Sequence, residues 1–153
     1  MGKYFEEFEI GDEFKSPGRT ITETDVVQFA GLSGDYNPLH TDVEYCKDTL
    51  FGQRVAHGLL GLSIMSGLVT RIGVFDGTII AFLNVDWSFT KPIFIGDTVH
   101  FSMKIISKTE TSKRDRGIIG REIQLINQRN EVVQQGTTTL MMKKKPIEQG
   151  ANI

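Results

Sequence analysis

The stretch that decides the fold is Gly58-Leu59-Leu60-Gly61-Leu62-Ser63-Ile64-Met65-Ser66-Gly67-Leu68-Val69-Thr70-Arg71-Ile72. Its apolar side chains cover nearly the whole circumference of a helix instead of one stripe, so we expect a helix that is buried on most sides. The stretch is interrupted by small and polar residues and is shorter than the roughly 18 apolar residues that cross a bilayer. It is therefore predicted to be a core helix.

Beyond this helix the hydrophobic period changes from 3.6 to 2, which is typical of half-buried strands. The alternating apolar positions are Leu83, Val85, Trp87 and Phe89 in one segment and Val99, Phe101, Met103 and Ile105 in the next. Residues 118–127 and 132–142 are two further strand candidates. The turn-prone residues 127–130 between them predict a hairpin.

A buried helix followed by a meander of long strands predicts an α+β fold, with the antiparallel sheet curled around the helix. We expect one domain over residues 1–153, with a loose tail from about Lys143 onward. The pattern leaves open whether the sheet edges pair with a second subunit, although long open edges need some protection.

Upstream of the long helix, Thr22-Glu23-Thr24-Asp25 predicts a helix start, because the Thr22 hydroxyl can cap a first-turn amide and Asp25 favours the positive helix end. The residues Ser33-Gly34-Asp35-Tyr36-Asn37-Pro38 end this helix. A short helix is expected from Asp42 to Lys47, followed by an irregular segment over residues 50–56.

Composition restricts the possible partners. The 153 residues carry a net charge of -2, so there is no global basic field to attract nucleic acid or an anionic membrane. The single cysteine, Cys46, excludes an intramolecular disulfide and every multi-thiolate metal site. The first residues lack the basic start and apolar stretch of a signal peptide. We therefore expect a cytoplasmic protein.

The polar stretch from Ser33 to Asp42 is the first candidate for chemistry, since the chain has no dinucleotide fingerprint, P-loop, zinc-peptidase motif or serine elbow. Asp35 and His40 lie five residues apart across a proline turn, so a carboxylate and an imidazole can converge on one water molecule. Spacing alone favours the structural interpretation, in which Asp35 caps a turn and His40 packs at a helix start.

Gly58 stands at the start of the long helix, where free amides and the positive end of the dipole can polarise a carbonyl oxygen. A glycine lets a ligand come close. The alternative is that Gly58 only lets the chain turn into the helix.

The segment Phe29-Ala30-Gly31-Leu32-Ser33-Gly34-Asp35-Tyr36-Asn37-Pro38-Leu39-His40 closely resembles the signature of the MaoC-like, R-specific enoyl-CoA hydratases. The resemblance extends to Val55-Ala56-His57-Gly58 and to residues 89–97, and covers the chain from about Phe8 to Met142. One departure is Cys46, where the family usually has Ala or Ser. The resemblance implies the hot-dog fold, a long central helix wrapped by an antiparallel sheet.

The resemblance also implies site roles. Asp35 and His40 would hold the attacking water, and the amide of Gly58 would bind the thioester oxygen. Asn37 would support the loop and Ser66 the reacting centre. The implied reaction is reversible hydration of trans-2-enoyl-CoA to (R)-3-hydroxyacyl-CoA, with no metal and no cofactor, because CoA is part of the substrate.

The implied partners are an acyl-CoA thioester, or the same acyl group on an acyl carrier protein. The implied assembly is a homodimer or a dimer of dimers. Two other functions are weighed: an acyl-CoA thioesterase on the same fold, and a non-catalytic acyl-CoA binding module. Tyr36 could lean on the acyl chain, but we expect it to fill core space. We expect His57 to be a hydrogen-bonded core histidine rather than a second base.

A basic group could meet the CoA phosphates or an acidic carrier protein, but a solvated hairpin and tail fit its pattern better. The group consists of Lys108, Lys113, Arg114, Arg116, Arg121 and Lys143-Lys144-Lys145.

Overall fold

A six-stranded antiparallel sheet forms the framework of the molecule in a computed structural model, which describes residues 1–147. Its strands are β1 (Glu13–Lys15), β2 (Arg19–Thr20), β3 (Ile79–Phe89), β4 (Thr98–Glu110), β5 (Arg116–Ile126) and β6 (Val132–Lys143). The order across the sheet is β1-β4-β5-β6-β3, and β2 pairs separately with β4. The predicted α+β class is confirmed.

Four α-helices accompany the sheet in the described part of the chain. They are α1 (Glu23–Ser33), α2 (Pro38–Thr41), α3 (Val43–Lys47) and α4 (Gly58–Arg71), and a single 3-10 turn precedes them at Phe5–Glu7. The predicted capping box of α1 is present, since the Thr22 hydroxyl accepts from the Asp25 amide and the Asp25 carboxylate accepts from the Thr22 amide. The sequence analysis did not anticipate α2.

The core lies between α4 and the inner face of the sheet. Leu60, Ile64, Met65 and Leu68 of α4 belong to one buried cluster with residues of β4, β5 and β6. The alternation predicted for β4 is confirmed, because Val99, Phe101, Met103 and Ile105 are all buried. The hairpin is also confirmed, with Asn130 of its turn in the left-handed region at φ 59°.

The burial predicted for the long helix and for the first long strand is wrong in the single chain. The helix α4 is buried on one side only, and Leu59 is 60% exposed. The strand β3 is not half-buried, since Phe82, Val85 and Phe89 are each more than 40% exposed. β3 is the last strand of the sheet, paired with β6 alone, so nothing in residues 1–147 covers its outer side.

The first residues of the predicted tail are held by backbone hydrogen bonds. Lys143 ends β6, the Lys144 amide donates to Asp115 O at 2.9 Å, and the Lys145 amide donates to a Glu6 carboxylate oxygen at 3.1 Å. These bonds hold the backbone as far as Lys145. The rest of the predicted tail, from residue 148, lies outside the described residues. In the described part, no helix has the length and apolar character needed to cross a membrane.

Candidate active site

The loop after α1 positions the first site residues through local hydrogen bonds. Gly34 ends the helix in the left-handed region at φ 75°. The Asp35 carboxylate then accepts from the Asn37 amide at 3.2 Å, and the Asn37 side-chain oxygen caps α2 by accepting from the Leu39 amide at 3.0 Å. Asn37 therefore holds the loop, and α2 carries His40 in its first and only turn.

His40 points back at Asp35 with a defined tautomer. Its Nδ1 lies 2.7 Å from the backbone oxygen of Val55, and a carbonyl oxygen can only accept, so Nδ1 carries the hydrogen. In the neutral ring, Nε2 then has a free lone pair, and it lies 3.9 Å from Asp35 Oδ2. The gap is too long for a direct hydrogen bond. It is short enough for one water molecule to donate to both atoms.

The irregular segment before α4 is tied to three other parts of the chain. The Val55 amide donates to Leu39 O at 3.0 Å, and the Ala56 amide donates to Ile93 O at 2.8 Å. Arg54 forms an ion pair with Glu23 of α1, and the guanidinium lowers the pKa of that carboxyl group. The segment thus delivers His57 and Gly58 to the Asp35 loop.

His57 belongs to the site, although the sequence analysis set it aside. The ring is 2% exposed, donates from Nε2 to the backbone oxygen of Asp35 at 2.9 Å, and stacks on His40 with centroids 3.8 Å apart. Its Nδ1 has no hydrogen-bond partner within residues 1–147. The prediction of a hydrogen-bonded core histidine holds, and the bond goes to Asp35 itself. Its position directly before Gly58 was the feature of the sequence that could have indicated a place in the site.

Gly58 presents a free amide. Further along the first turn, the amides of Leu60 and Gly61 donate to the backbone oxygen of His57, at 3.0 and 3.3 Å respectively. Within the described residues, the amides of Gly58 and Leu59 have no acceptor, as expected for the first positions of a helix. The glycine is also a packing requirement, because a Cβ there would lie 2.8 Å from the Phe89 ring.

A mostly apolar cavity opens beside Gly58. Its volume is about 280 Å³, and its walls include Phe51, Val55, Phe89, Ile93 and Gln134. Neither Asp35 nor His40 lines this cavity. Gly58 links the cavity to that pair, because it lines the cavity and follows His57, whose ring stacks on His40. Such a site can hold an apolar group beside a carbonyl oxygen and a water molecule.

Other predicted positions lie elsewhere. Ser66 follows Gly58 by eight residues, about 12 Å along the helix, and lines a different groove with Leu62, Phe82 and Val85. Its supporting role stays a prediction, without contact to Asp35 or His40 in this chain. The prediction for Tyr36 is wrong, since the side chain is 63% exposed.

The basic group does not form one surface. Arg121 is 2% exposed on the inner face of the sheet, contrary to the predicted solvated hairpin. Lys108 donates to Phe8 O, Arg116 pairs with Asp115, and Lys144 pairs with Glu110. These contacts are internal, so they leave few of the predicted positions available to a phosphate.

Asp35, His40 and His57 also place possible metal-ligating atoms within 4.8 Å of one another. One nitrogen of each imidazole is held by a backbone oxygen, and the second nitrogen of His57 is enclosed. Coordination by all three residues would have to break at least one of these arrangements or move the His57 ring. The expectation of no metal stays a prediction.

Residues 6–125 match the family model described as "MaoC like domain". The chain belongs to the MaoC-like domain family. A "(R)-specific enoyl-CoA hydratase" from Rhodospirillum rubrum is 39% identical over 97 residues, which are 63% of this chain and 65% of the relative. "Protein MaoC" from Klebsiella aerogenes is 38% identical over 115 residues, 74% of this chain. That match spans only 33% of the larger relative.

Solved structures of MaoC-like proteins share the architecture. The "Monoamine oxidase regulatory protein" of Archaeoglobus fulgidus superposes with a TM-score of 0.88 at 37% identity, covering 95% of this chain and 97% of that one. A Mycobacterium tuberculosis protein with a "double hotdogfold" superposes at 0.84 with 20% identity, over 95% of this chain and 45% of that one. The expected hot-dog fold is confirmed.

Proposed function

We propose that this MaoC-like chain is an (R)-specific enoyl-CoA hydratase, which works in reverse as a 3-hydroxyacyl-CoA dehydratase. The observation that carries the proposal is the 3.9 Å gap between Asp35 Oδ2 and His40 Nε2. Both facing atoms accept hydrogen bonds when Asp35 is ionised and His40 neutral. A water molecule can satisfy both and be oriented by them.

In the proposed reaction, the water oxygen bonds to the β carbon of a trans-2-enoyl thioester while the Asp35–His40 pair takes the water proton. Electrons from the double bond move to the thioester oxygen, which accepts from the Gly58 amide as an enolate forms. The pair then returns the proton to the α carbon. The pair recovers its starting charge, and one water has been added.

The names of the relatives support the hydration chemistry and the (R) product. The Asp-Tyr-Asn-Pro-Leu-His loop argues against a thioesterase, in which the same water would attack the carbonyl carbon. Both the carboxylate and the imidazole are present and face each other, which argues against a binding module without catalysis.

We further propose a homodimer or a dimer of dimers, because the outer edge of β3 carries exposed apolar side chains. The proposed compartment is the cytoplasm. The substrate carrier is CoA in this proposal, with acyl carrier protein as the alternative. No metal or other cofactor takes part.

The test is loss of enoyl absorbance with crotonyl-CoA, with the product resolved on a chiral column. Asp35→Asn and His40→Ala should each lose most activity, while Asp42→Asn, nearby in sequence, serves as the control. An (S) product, or no turnover with any enoyl chain length, contradicts the proposal. Release of thiol from a saturated acyl-CoA would identify a thioesterase instead.

A further inference from the structure

A buried glutamine joins the sheet to the first turn of α4. Gln134 lies on β6 and is 2% exposed, and its Nε2 donates to the backbone oxygen of Gly58 at 2.9 Å. Trp87 of β3 donates from its indole Nε1 to Gln134 Oε1, also at 2.9 Å. Gln134 is outside the segment that matches the family model, and it is not among the residues to which the resemblance assigns a role.

The two partners determine the orientation of the amide. An indole N–H can only donate and a carbonyl oxygen can only accept. The Gln134 oxygen must therefore face Trp87, and its nitrogen must face Gly58. A flipped amide would set two donors against each other and two acceptors against each other.

The helix is shaped to receive this side chain. Gly58 and Gly61 are three residues apart on α4, so they share a face. A Cβ at Gly61 would overlap the Gln134 amide and lie 2.8 Å from Ile93. Gln134 thus fills the slot that Gly61 leaves under the first turn, whereas the space beside Gly58 is taken by the Phe89 ring. Gln134 also lines the cavity beside Gly58.

We infer that Gln134, oriented by Trp87, is a positioning residue that aims the Gly58 amide at the thioester oxygen. This inference rests on the proposed function. Gly58 has no side chain to restrain it, and no helical bond engages its amide. The Gln134 bond holds the carbonyl of the same residue, so it limits rotation of Gly58 about its backbone bonds.

An amide that stabilises an enolate acts mainly in the transition state, and its effect depends on direction. Loss of Gln134 should therefore lower kcat more than it raises KM. A residue that served only stability would instead change the melting temperature and leave kcat of the folded enzyme intact.

Four variants test this role. Gln134→Leu removes both bonds, Trp87→Phe removes only the bond that orients the amide, and Gln134→Glu keeps the shape. Gln135→Leu is the matched control, since Gln135 is the exposed neighbour on the opposite face of β6. The measurements are kcat and KM for crotonyl-CoA, together with melting temperatures.

We expect Gln134→Leu to lose roughly 10- to 100-fold in kcat, a part of the loss when an oxyanion donor is removed outright. KM should change less than about threefold, and Gln135→Leu should match the wild type. Trp87→Phe should fall between them. The kcat of Gln134→Glu relative to the wild type should rise as the pH falls, because only a protonated carboxyl group can donate to Gly58.

A second readout does not need turnover. Saturated butyryl-CoA, labelled with ¹³C at the carbonyl, should show a lowered infrared carbonyl stretch when bound to the wild type, and Gln134→Leu should reverse part of that shift. If the shift and its reversal occur without hydration of any enoyl-CoA, the proposed function fails while the positioning role stands. If folded Gln134→Leu and Trp87→Phe keep both kcat and the shift, the role of Gln134 is wrong.

Discussion

The imidazole rings of His40 and His57 are stacked, with centroids 3.8 Å apart and planes 27° from parallel. Each ring has one nitrogen bonded to a backbone oxygen, that of Val55 for His40 and that of Asp35 for His57. The stack therefore ties the Asp35 loop to the segment that leads into α4. It connects the Asp35–His40 pair, which we propose holds the attacking water, with the amide of Gly58.

The bond from His57 to the Asp35 backbone can be separated from the stacking. His57→Phe keeps a ring against His40 but leaves the Asp35 oxygen without its donor, and we expect kcat to fall about tenfold as the loop shifts. His57→Gln can still donate and should keep more activity. Steady-state kinetics with crotonyl-CoA measure both, and equal activity of the wild type and His57→Phe would show that the bond is unnecessary.

The packing of Gly58 on Phe89 predicts a rescue. Gly58→Ala should lower the free energy of unfolding by about 1–3 kcal/mol through overpacking, with loss of activity. Adding Phe89→Val should restore stability, because the methyl group then has space, and most of kcat, because the amide is unchanged. Denaturant unfolding and kinetics on the three proteins give the answer. A double variant that is stable and inactive would mean that the ligand itself needs a glycine there.

Metal removal should have no effect on the proposed hydration. Asp35 and His40 can act with water alone, so dialysis against EDTA should leave kcat for crotonyl-CoA within about twofold of the untreated enzyme. Metal analysis of the protein before and after dialysis is the control. Activity that disappears with EDTA and returns with one added divalent ion would instead identify Asp35, His40 and His57 as ligands.

Arg121 is a buried cation whose cost can be measured. It donates to the Thr138 hydroxyl at 2.9 Å and lies over the Phe75 ring, but no carboxylate pairs with it within residues 1–147. Burial lowers the pKa of its guanidinium from the usual value to about 10. Replacing Arg121 with Met and Thr138 with Val should therefore raise the free energy of unfolding by about 1–3 kcal/mol at neutral pH.

The advantage of that double variant should depend on pH. The folded wild type releases the Arg121 proton at a lower pH than the unfolded chain, so the cost is complete below about pH 10 and shrinks as the pH rises above 10. Urea unfolding of both proteins on either side of pH 10 measures the difference. The single variant Arg121→Ala should be less stable than the double variant, because the smaller side chain leaves a cavity. A double variant less stable than the wild type at neutral pH contradicts the prediction.

The open edge of β3 predicts the assembly. Phe82→Lys with Val85→Lys should convert the proposed dimer into a monomer, because two charges would replace exposed apolar side chains on the edge strand. Sedimentation velocity measures the change. Ile106→Lys, at an exposed apolar position on β4, is the control and should remain dimeric. A wild type that sediments as a monomer at micromolar concentration would contradict the proposal.

Local patterns predicted the elements whose signals lie within a few residues. The Thr22–Asp25 capping box and the alternation of β4 depend on neighbours in sequence, and both were predicted correctly. The burial of α4 and β3 was predicted wrongly, because an apolar pattern does not say which surface covers it. Within this chain, nothing described covers the outer side of β3.

The features of the fold and site that were not predicted depend on contacts between residues far apart in the sequence. The motif indicated Asp35, His40 and Gly58, and the structure brings their segments together. The motif gave no indication that His57 would bond to the Asp35 backbone. It also did not indicate that Gln134, 76 residues after Gly58, would bond to the Gly58 backbone oxygen. Lys144 was expected in a loose tail, but its partners Glu110 and Asp115 lie far back in the chain. Hydrophobic periodicity does not indicate which distant residues will pair.

The pairing of β3 with β6 also has a kinetic consequence. The hairpins β4–β5 and β5–β6 join neighbouring strands, whereas Phe89 pairs with Gln134 and Ile79 with Met142 across long intervening segments. Closing such a large loop is slow compared with closing a hairpin. The Trp87–Gln134–Gly58 connection requires that closure. During refolding we therefore expect secondary structure to return first, and the ability to turn over substrate to return last.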